Sequence, residues 1–383
     1  MKEIILSLVL LFSTGDSFAS MWIKRADFGA QGRHRATGIS IGNKGYMGLG
    51  HFNGAGPNII LKDWWQYDPG TNSWSQKADY IGNNGNGTYA VLAFGMDKYG
   101  YIGGGQVAST TAFYRYDPVT NSWSQVAASP TLPVNTKGFV IGDKGYYLDG
   151  NAVYEYNSTN NVWTSKNFAP FSINIWNSTF TIDNKGYVKT NTGLWEYKPT
   201  IDQWASRAPF PGLSSAGGVG FTHRNKGYVV CGYGVWLSDL TSEVWEYDPA
   251  TNLWTIMPEF PGSSRRFCSG FTIGDRAYFG IGTNGTNFSD LWEFSVLADL
   301  EEIFDETKFA VYPNPAVESI NFRSENLNTF NLDVFDALGN HIHSRAAENG
   351  HVQMTRQNLP SGNYFYQVQL DGKIVHSDHF IFN

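Results

Sequence analysis

The chain has 383 residues, with 27 Lys and Arg against 34 Asp and Glu for a net charge of −7, 16% aromatic residues and two cysteines. This charge balance, with no basic stripe, argues against a nucleic-acid partner, and no stretch of the mature chain approaches transmembrane length. In chain order, Ile4 to Phe12 form a short apolar run after Lys2, and Ser17-Phe18-Ala19 has the small residues that suit signal-peptidase cleavage after Ala19, so residues 1–19 are read as a signal peptide. The charge is unevenly placed: residues 20–296 carry 21 bases and 20 acids, whereas 297–308 carry five acids and one base.

From Trp22 onward the chain repeats. Tyr67 and Trp74, Tyr116 and Trp123, Tyr156 and Trp163, Tyr197 and Trp204, and Tyr247 and Trp254 are each seven residues apart, in segments such as WWQYDPGTNSW and VWEYDPATNLW. Each segment follows a glycine-bounded turn and a strand with a tyrosine: Tyr46, Tyr101, Tyr146, Tyr187, Tyr228 and Tyr278, at a period of 41 to 55 residues. Period-two alternation in every segment predicts strands and excludes a helical solenoid. In YDPxTN, Pro presets φ, Asp bonds a nearby N–H and Asn tolerates a left-handed conformation, which predicts a tight hairpin. Tyr46 has no Trp from an earlier repeat, but Trp22 lies 24 residues before it, in MWIKRADF, which reads like WSQKADY and WASRAPF. The N-terminus is therefore expected to supply the outer strand of the last repeat, which otherwise holds FCSGFTIG, RAYFGIG and DLWEFSV, closing the array and protecting its strand edges. These residues resemble kelch repeats, which implies a six-bladed β-propeller over residues 20–296 with the repeated Tyr and Trp in structural roles.

Residues 297–308, LADLEEIFDETK, read as an acidic linker. Beyond it, short alternating strands separated by Asn-Pro, Leu-Gly-Asn, Ser-Gly-Asn and Asp-Gly turns predict a small antiparallel Ig-like β-sandwich over 309–383. FAVYPNPAVESINF, LDVFDALGNHIHS and LPSGNYFYQVQLDGKIVHSDHFIFN resemble the type A C-terminal sorting domain of the type IX secretion system of Bacteroidetes. The resemblance implies export through the periplasm, the secretion machinery as a partner, and a secreted or cell-surface location. The last residues, HFIFN, depart from the lysine-bearing final strand usual in that family.

Candidate ligand residues fall where the repeat varies. Tyr46 to Tyr67 spans 21 residues but Tyr146 to Tyr156 only 10, and variable loops on a fixed scaffold carry binding groups. These loops bring His51, Phe52, Trp236 and Phe288, and the entrances to the first strands add Arg33, His34, Arg35, Trp176, Arg265 and Arg266. Arg33 and Arg265 each stand 13 residues before their repeat tyrosine, so a cationic, aromatic-rimmed sector is expected where the last repeat meets the first. Against this stand solvated or acid-paired arginines and a Trp176 that packs between blades. Asp63 and Asp290, before their third strands, read as packing residues. His34, His51 and His223 are too few and too dispersed for a copper site of the galactose oxidase kind, so no metal or cofactor is expected. Cys231 and Cys268 read either as a disulfide or as two small buried residues. The composite expectation is a non-catalytic binding module for a glycan or protein; the alternative is a sugar-modifying enzyme of the sialic acid mutarotase type, which would need a carboxylate near the arginines.

Overall fold

A computed structural model describes residues 22–54, 58–96, 98–173, 177–191, 193–214, 216–294, 308–325, 327–370 and 373–383. The expected signal peptide, most of the acidic linker and Trp176 lie outside them. The chain divides into two compact units, Met1–Ser295 and Val296–Asn383, and is all-β but for one short 3-10 turn among the described residues.

The first unit contains six four-stranded antiparallel sheets. The first sheet comprises Thr37–Ile41, Lys44–Gly48, Trp64–Asp68 and Ser73–Lys77, and the second Leu92–Met96, Tyr99–Gly103, Phe113–Asp117 and Ser122–Val126. The third to fifth repeat the pattern from Phe139–Ile141 to Val162–Lys166, from Ser178–Ile182 to Gln203–Arg207 and from Val219–His223 to Leu253–Met257. The sixth takes Ser269–Ile273, Arg276–Gly280 and Leu291–Phe294 from late in the chain, and its outer strand is Trp22–Arg25, with Trp22 opposite Phe294.

The seven-residue Tyr–Trp interval is a cross-strand pair spanning a hairpin: Tyr67 faces Trp74, Tyr116 faces Trp123, Tyr156 faces Trp163, Tyr197 faces Trp204 and Tyr247 faces Trp254. The hairpin asparagine sits at positive φ, 48° at Asn72 and 50° at Asn121, which a short polar side chain tolerates. Its Oδ1 accepts two hydrogen bonds, one from its own tyrosine and one from the backbone that follows the outer strand of the preceding sheet. Asn121 takes Tyr116 Oη at 2.8 Å and Ala78 N at 2.9 Å, and Trp123 Nε1 donates back to Ala78 O at 2.9 Å. The same staple recurs at Asn161 with Ala127 and at Asn252 with Ala208, and Asp202 plays the part toward Asn167. Asn72 and Trp74 of the first sheet make it to Ala26, the residue after the N-terminal strand of the sixth.

Aromatic packing repeats between sheets too. In the last four sheets the first-strand phenylalanine stacks on its own tyrosine, as in Phe180 and Tyr187 at 5.3 Å and Phe271 and Tyr278 at 5.2 Å. The Phe180 ring then covers Gly227 of the next sheet, where a Cβ would stand 2.2 Å from it, so this position admits only glycine. A charge ladder crosses each of the last four sheets: Glu155 pairs with Lys144 and Lys166, Glu196 with Arg207, Glu246 with Lys226, and Glu293 with Arg25.

The second unit is two antiparallel sheets sharing one core. One contains Phe309–Tyr312, Ser319–Ser324 and His351–Thr355; the other orders His341–Ala346, Asn331–Phe335, Gly362–Leu370 and Lys373–Phe382 side by side. Ile320, Phe322, Leu332, Val334, Val352, Tyr366 and Phe380 fill the core, with alternation clearest along Ser319–Ser324, Asn331–Phe335 and His351–Thr355. Asp336 Oδ1 accepts from Leu338 N and Asn340 N and so shapes the FDALGN turn, while Tyr364 Oη donates to Pro360 O at 2.7 Å within LPSGNY.

Candidate functional site

Eleven residues before five of the six second-strand tyrosines the backbone turns into the left-handed region: Arg35 (φ 56°), Ala90 (59°), Asn135 (55°), Gly217 (75°) and Phe267 (57°). Trp176 holds the sixth place by spacing. These residues hydrogen-bond to one another from sheet to sheet: Phe267 N to Gly217 O, Arg35 N to Phe267 O, Ala90 N to Arg35 O and Asn135 N to Ala90 O, at 2.8–3.2 Å. One backbone position therefore recurs as a collar, and its side chains differ in every sheet. Non-glycine residues held at positive φ cost free energy and persist only where the surroundings fix them.

The collar and its flanks bring Arg35, Arg266, His34 and His51 together. The Arg35 guanidinium lies over the Phe267 ring at 4.3 Å and faces Tyr89 at 5.8 Å, while that of Arg266 is 5.5 Å from Phe267 and donates to Leu237 O. Burial holds Arg35 below its ordinary pKa, and the like charge of Arg266 adds to this. Tyr233 packs on Phe267 at 5.7 Å; burial pushes its phenol up against the opposing pull of both arginines. The His34 and His51 rings meet edge to face at 4.8 Å, and His51 stacks on Tyr89 at 4.9 Å. His34 Nε2 donates to Asn53 Oδ1 at 2.9 Å. Burial lowers His34 to about 4 and His51 in the same direction, so both imidazoles are neutral at pH 7. The result is a cationic fork on an aromatic floor, suited to a carboxylate or a planar polar group. None of these facing side chains is a carboxylate, and among the described residues no three His, Cys, Asp or Glu gather as metal ligands.

Arg33 and Arg265, expected in this sector, are instead buried scaffold. Arg33 is 0% exposed, pairs both Nη atoms with the two Asp63 oxygens at 2.5 and 2.8 Å, and donates to Leu49 O and Gln31 O. Arg265 repeats this with Asp290, Ile281 O and Ser263 O, and its guanidinium covers Phe288 at 3.9 Å, so that ring too is engaged within the fold. Both aspartates also accept from a tryptophan two residues on, Trp65 and Trp292. The carboxylates nearest Arg33 and Arg265 are thus wholly committed to packing. Phe52 pairs with Ile59 in a two-residue strand, and Trp236, 70% exposed, projects on the loop between the second and third strands of the fifth sheet beside exposed Val235 and Leu237. Cys231 and Cys268 are buried free thiols, both pushed up by burial, and no disulfide joins them. His223 packs on Tyr228 and Phe294, away from the other two histidines. Tyr89, Phe267 and Tyr233 complete the floor; the first two were legible only by aligning the repeats eleven and twelve residues ahead of their tyrosines.

Residues 310–383 match the family of secretion system C-terminal sorting domains. The chain is accordingly a secreted or cell-surface protein handled by the type IX secretion system, and no helix among the described residues is long and apolar enough to cross a membrane. The chain is similar in fold to the solved structure of YjhT, at 14% identity and a TM-score of 0.59, covering 70% of this chain and 95% of that one. No curated protein sequence matches the chain.

Proposed function

We propose that residues 20–296 form a six-bladed kelch β-propeller, completed by the N-terminal strand, that acts at the cell surface or outside the cell as a non-catalytic binding module. Its ligand is a glycan or protein that offers a carboxylate to the collar. The staple from Asn72 and Trp74 back to Ala26 supports the closed ring, and residues 1–19 would be removed on export. The carrying observation is the Arg35 guanidinium lying between Phe267 and Tyr89 with Arg266 beside it, where four sheets contribute to one mouth. Trp236, exposed on a neighbouring loop, adds a stacking surface for a sugar ring. The mutarotase-type alternative calls for an acid or base beside the arginines; Asp63 and Asp290, the carboxylates that came closest to that requirement, are consumed by Arg33 and Arg265.

A glycan array followed by titration calorimetry on the full chain tests this reading. Acidic glycans or acidic peptides should bind, and Arg35→Ala with Arg266→Ala should weaken binding by about 1.5–3 kcal/mol per charged hydrogen bond lost while leaving the melting temperature nearly unchanged. Undiminished binding in the double variant removes the collar as the site, and catalysed anomer exchange of an acidic sugar, seen by proton NMR, would favour the enzyme.

A further inference from the structure

Two residues past the collar, the first strands of all six sheets line a cavity of about 150 Å3, bounded by Thr37, Val91, Lys137, Asn177, Val219 and Gly270 among others. It shares Ala93, Gly138, Thr179, Gly220 and Gly270 with a second cavity of about 360 Å3 further along the same strands. Nine residues before each repeat tyrosine stand Thr37, Leu92, Lys137, Ser178, Val219 and Ser269, so a single charge enters an otherwise uncharged ring.

We propose that Lys137 and Asn177 form an anion subsite inside this cavity, built to hold a small carboxylate. Lys137 is half-buried, its side chain opens into the cavity, and no hydrogen bond or ion pair joins it to another described residue. A half-buried ammonium with no protein carboxylate beside it leaves its charge to be met from within the cavity. Asn177 is 5% exposed and its Nδ2 has no acceptor; the buried Ser269 Oγ, beside Gly38 of the cavity wall, is likewise unpartnered. The Lys137 ammonium and the Asn177 amide are both donors on the wall of one cavity, which matches an acceptor, and its volume has room for a carboxylate with a few further atoms. Burial lowers Lys137 to about 8, so the ammonium is charged at pH 7 and discharged by pH 9.5. Lys137 is the only ionisable residue among those lining the cavity. Cys268 faces it from the sixth sheet, with Cys231 and the Arg265–Asp290 pair behind, and the Cys268 thiol is pushed up to about 12, so it does not titrate in that window.

Calorimetry on the full chain with sodium acetate, sodium glucuronate, sodium chloride and glucose tests the subsite. Acetate should bind at pH 7 and at least tenfold more weakly at pH 9.5, with the fall centred near pH 8, a result that needs no variant. Lys137→Met should weaken acetate at least tenfold and, since no partner within the protein is lost, melt close to wild type. Arg35→Ala with Arg266→Ala should leave acetate unchanged, which separates this site from the collar. Glucuronate binding that also depends on Lys137 identifies the carboxylate as that of an acidic sugar; acetate without glucuronate identifies a free small acid. Chloride binding as tightly as acetate, or acetate binding that ignores both pH and Lys137→Met, or no acetate binding at pH 7, overturns the proposal.

Discussion

Arg33 and Arg35 are two residues apart and do opposite work. Arg33 belongs to a repeated motif, with Arg265 as its counterpart, and spends its donors on Asp63, two backbone carbonyls and the face of Phe28. Arg35 shares its backbone position with Phe267, Asn135, Ala90 and Gly217, so its side chain is peculiar to its own sheet. Arg33→Ala leaves Asp63 with a desolvated, unmatched carboxylate, and a loss of about 3 kcal/mol or more is expected, read as a lower melting temperature, with ligand affinity per folded molecule unchanged. A variant that melts like wild type but binds more weakly would return Arg33 to the ligand site. The spacing that aligned Arg33 with Arg265 was visible in the sequence, but its meaning was not. An identical residue at an identical register position serves the repeat, whereas a ligand site is built where the register is kept and the residue changes. The acid-x-Trp triplets at Asp63-Trp64-Trp65 and Asp290-Leu291-Trp292 were the unread sign of where each arginine goes.

Strands and turns were far more legible than side-chain destinations, because hairpin geometry is local. The seven-residue Tyr–Trp interval and the left-handed asparagine fix the outer hairpin without reference to the rest of the chain. The second acceptor role of that asparagine, toward the preceding sheet, involves residues 34 to 46 positions away and has no sequence marker beyond recurrence. The sixth sheet lacks such a turn, since its two outer strands come from opposite ends of the unit, and relies on Trp22 packing against Phe294 at 4.8 Å and Phe260 at 5.2 Å. Trp22→Ala should therefore cost about 3–5 kcal/mol, in the range of large buried aromatic truncations. Equal denaturant midpoints for the variant and wild type would mean that this strand contributes little to holding the sheets together.

Each of the two compact units has its own core, and the second carries the delivery signature. Residues 310–383 carry the sorting signature and their own core, so removing 309–383 should leave a folded first unit that accumulates in the periplasm of the native host. Cell fractionation reads this directly, and normal surface amounts of the truncated chain would separate export from the tail. The tail was readable because its YPNP, VFDALG and LPSGNY segments are contiguous, whereas the mouth of the first unit is assembled from the first, second, fifth and sixth sheets and is visible only once they are arrayed.

The pairing of Trp22 with Phe294 also orders events in time. A ribosome makes Trp22–Arg25 first and its partner Leu291–Phe294 only after every other strand of the unit, so the earliest strand waits, apolar face exposed, for the latest. The delivery address is written after that partner. A nascent chain that terminates early lacks both the strand that receives Trp22 and the label that sends it outward, so incomplete copies are left unaddressed by the order of the gene itself.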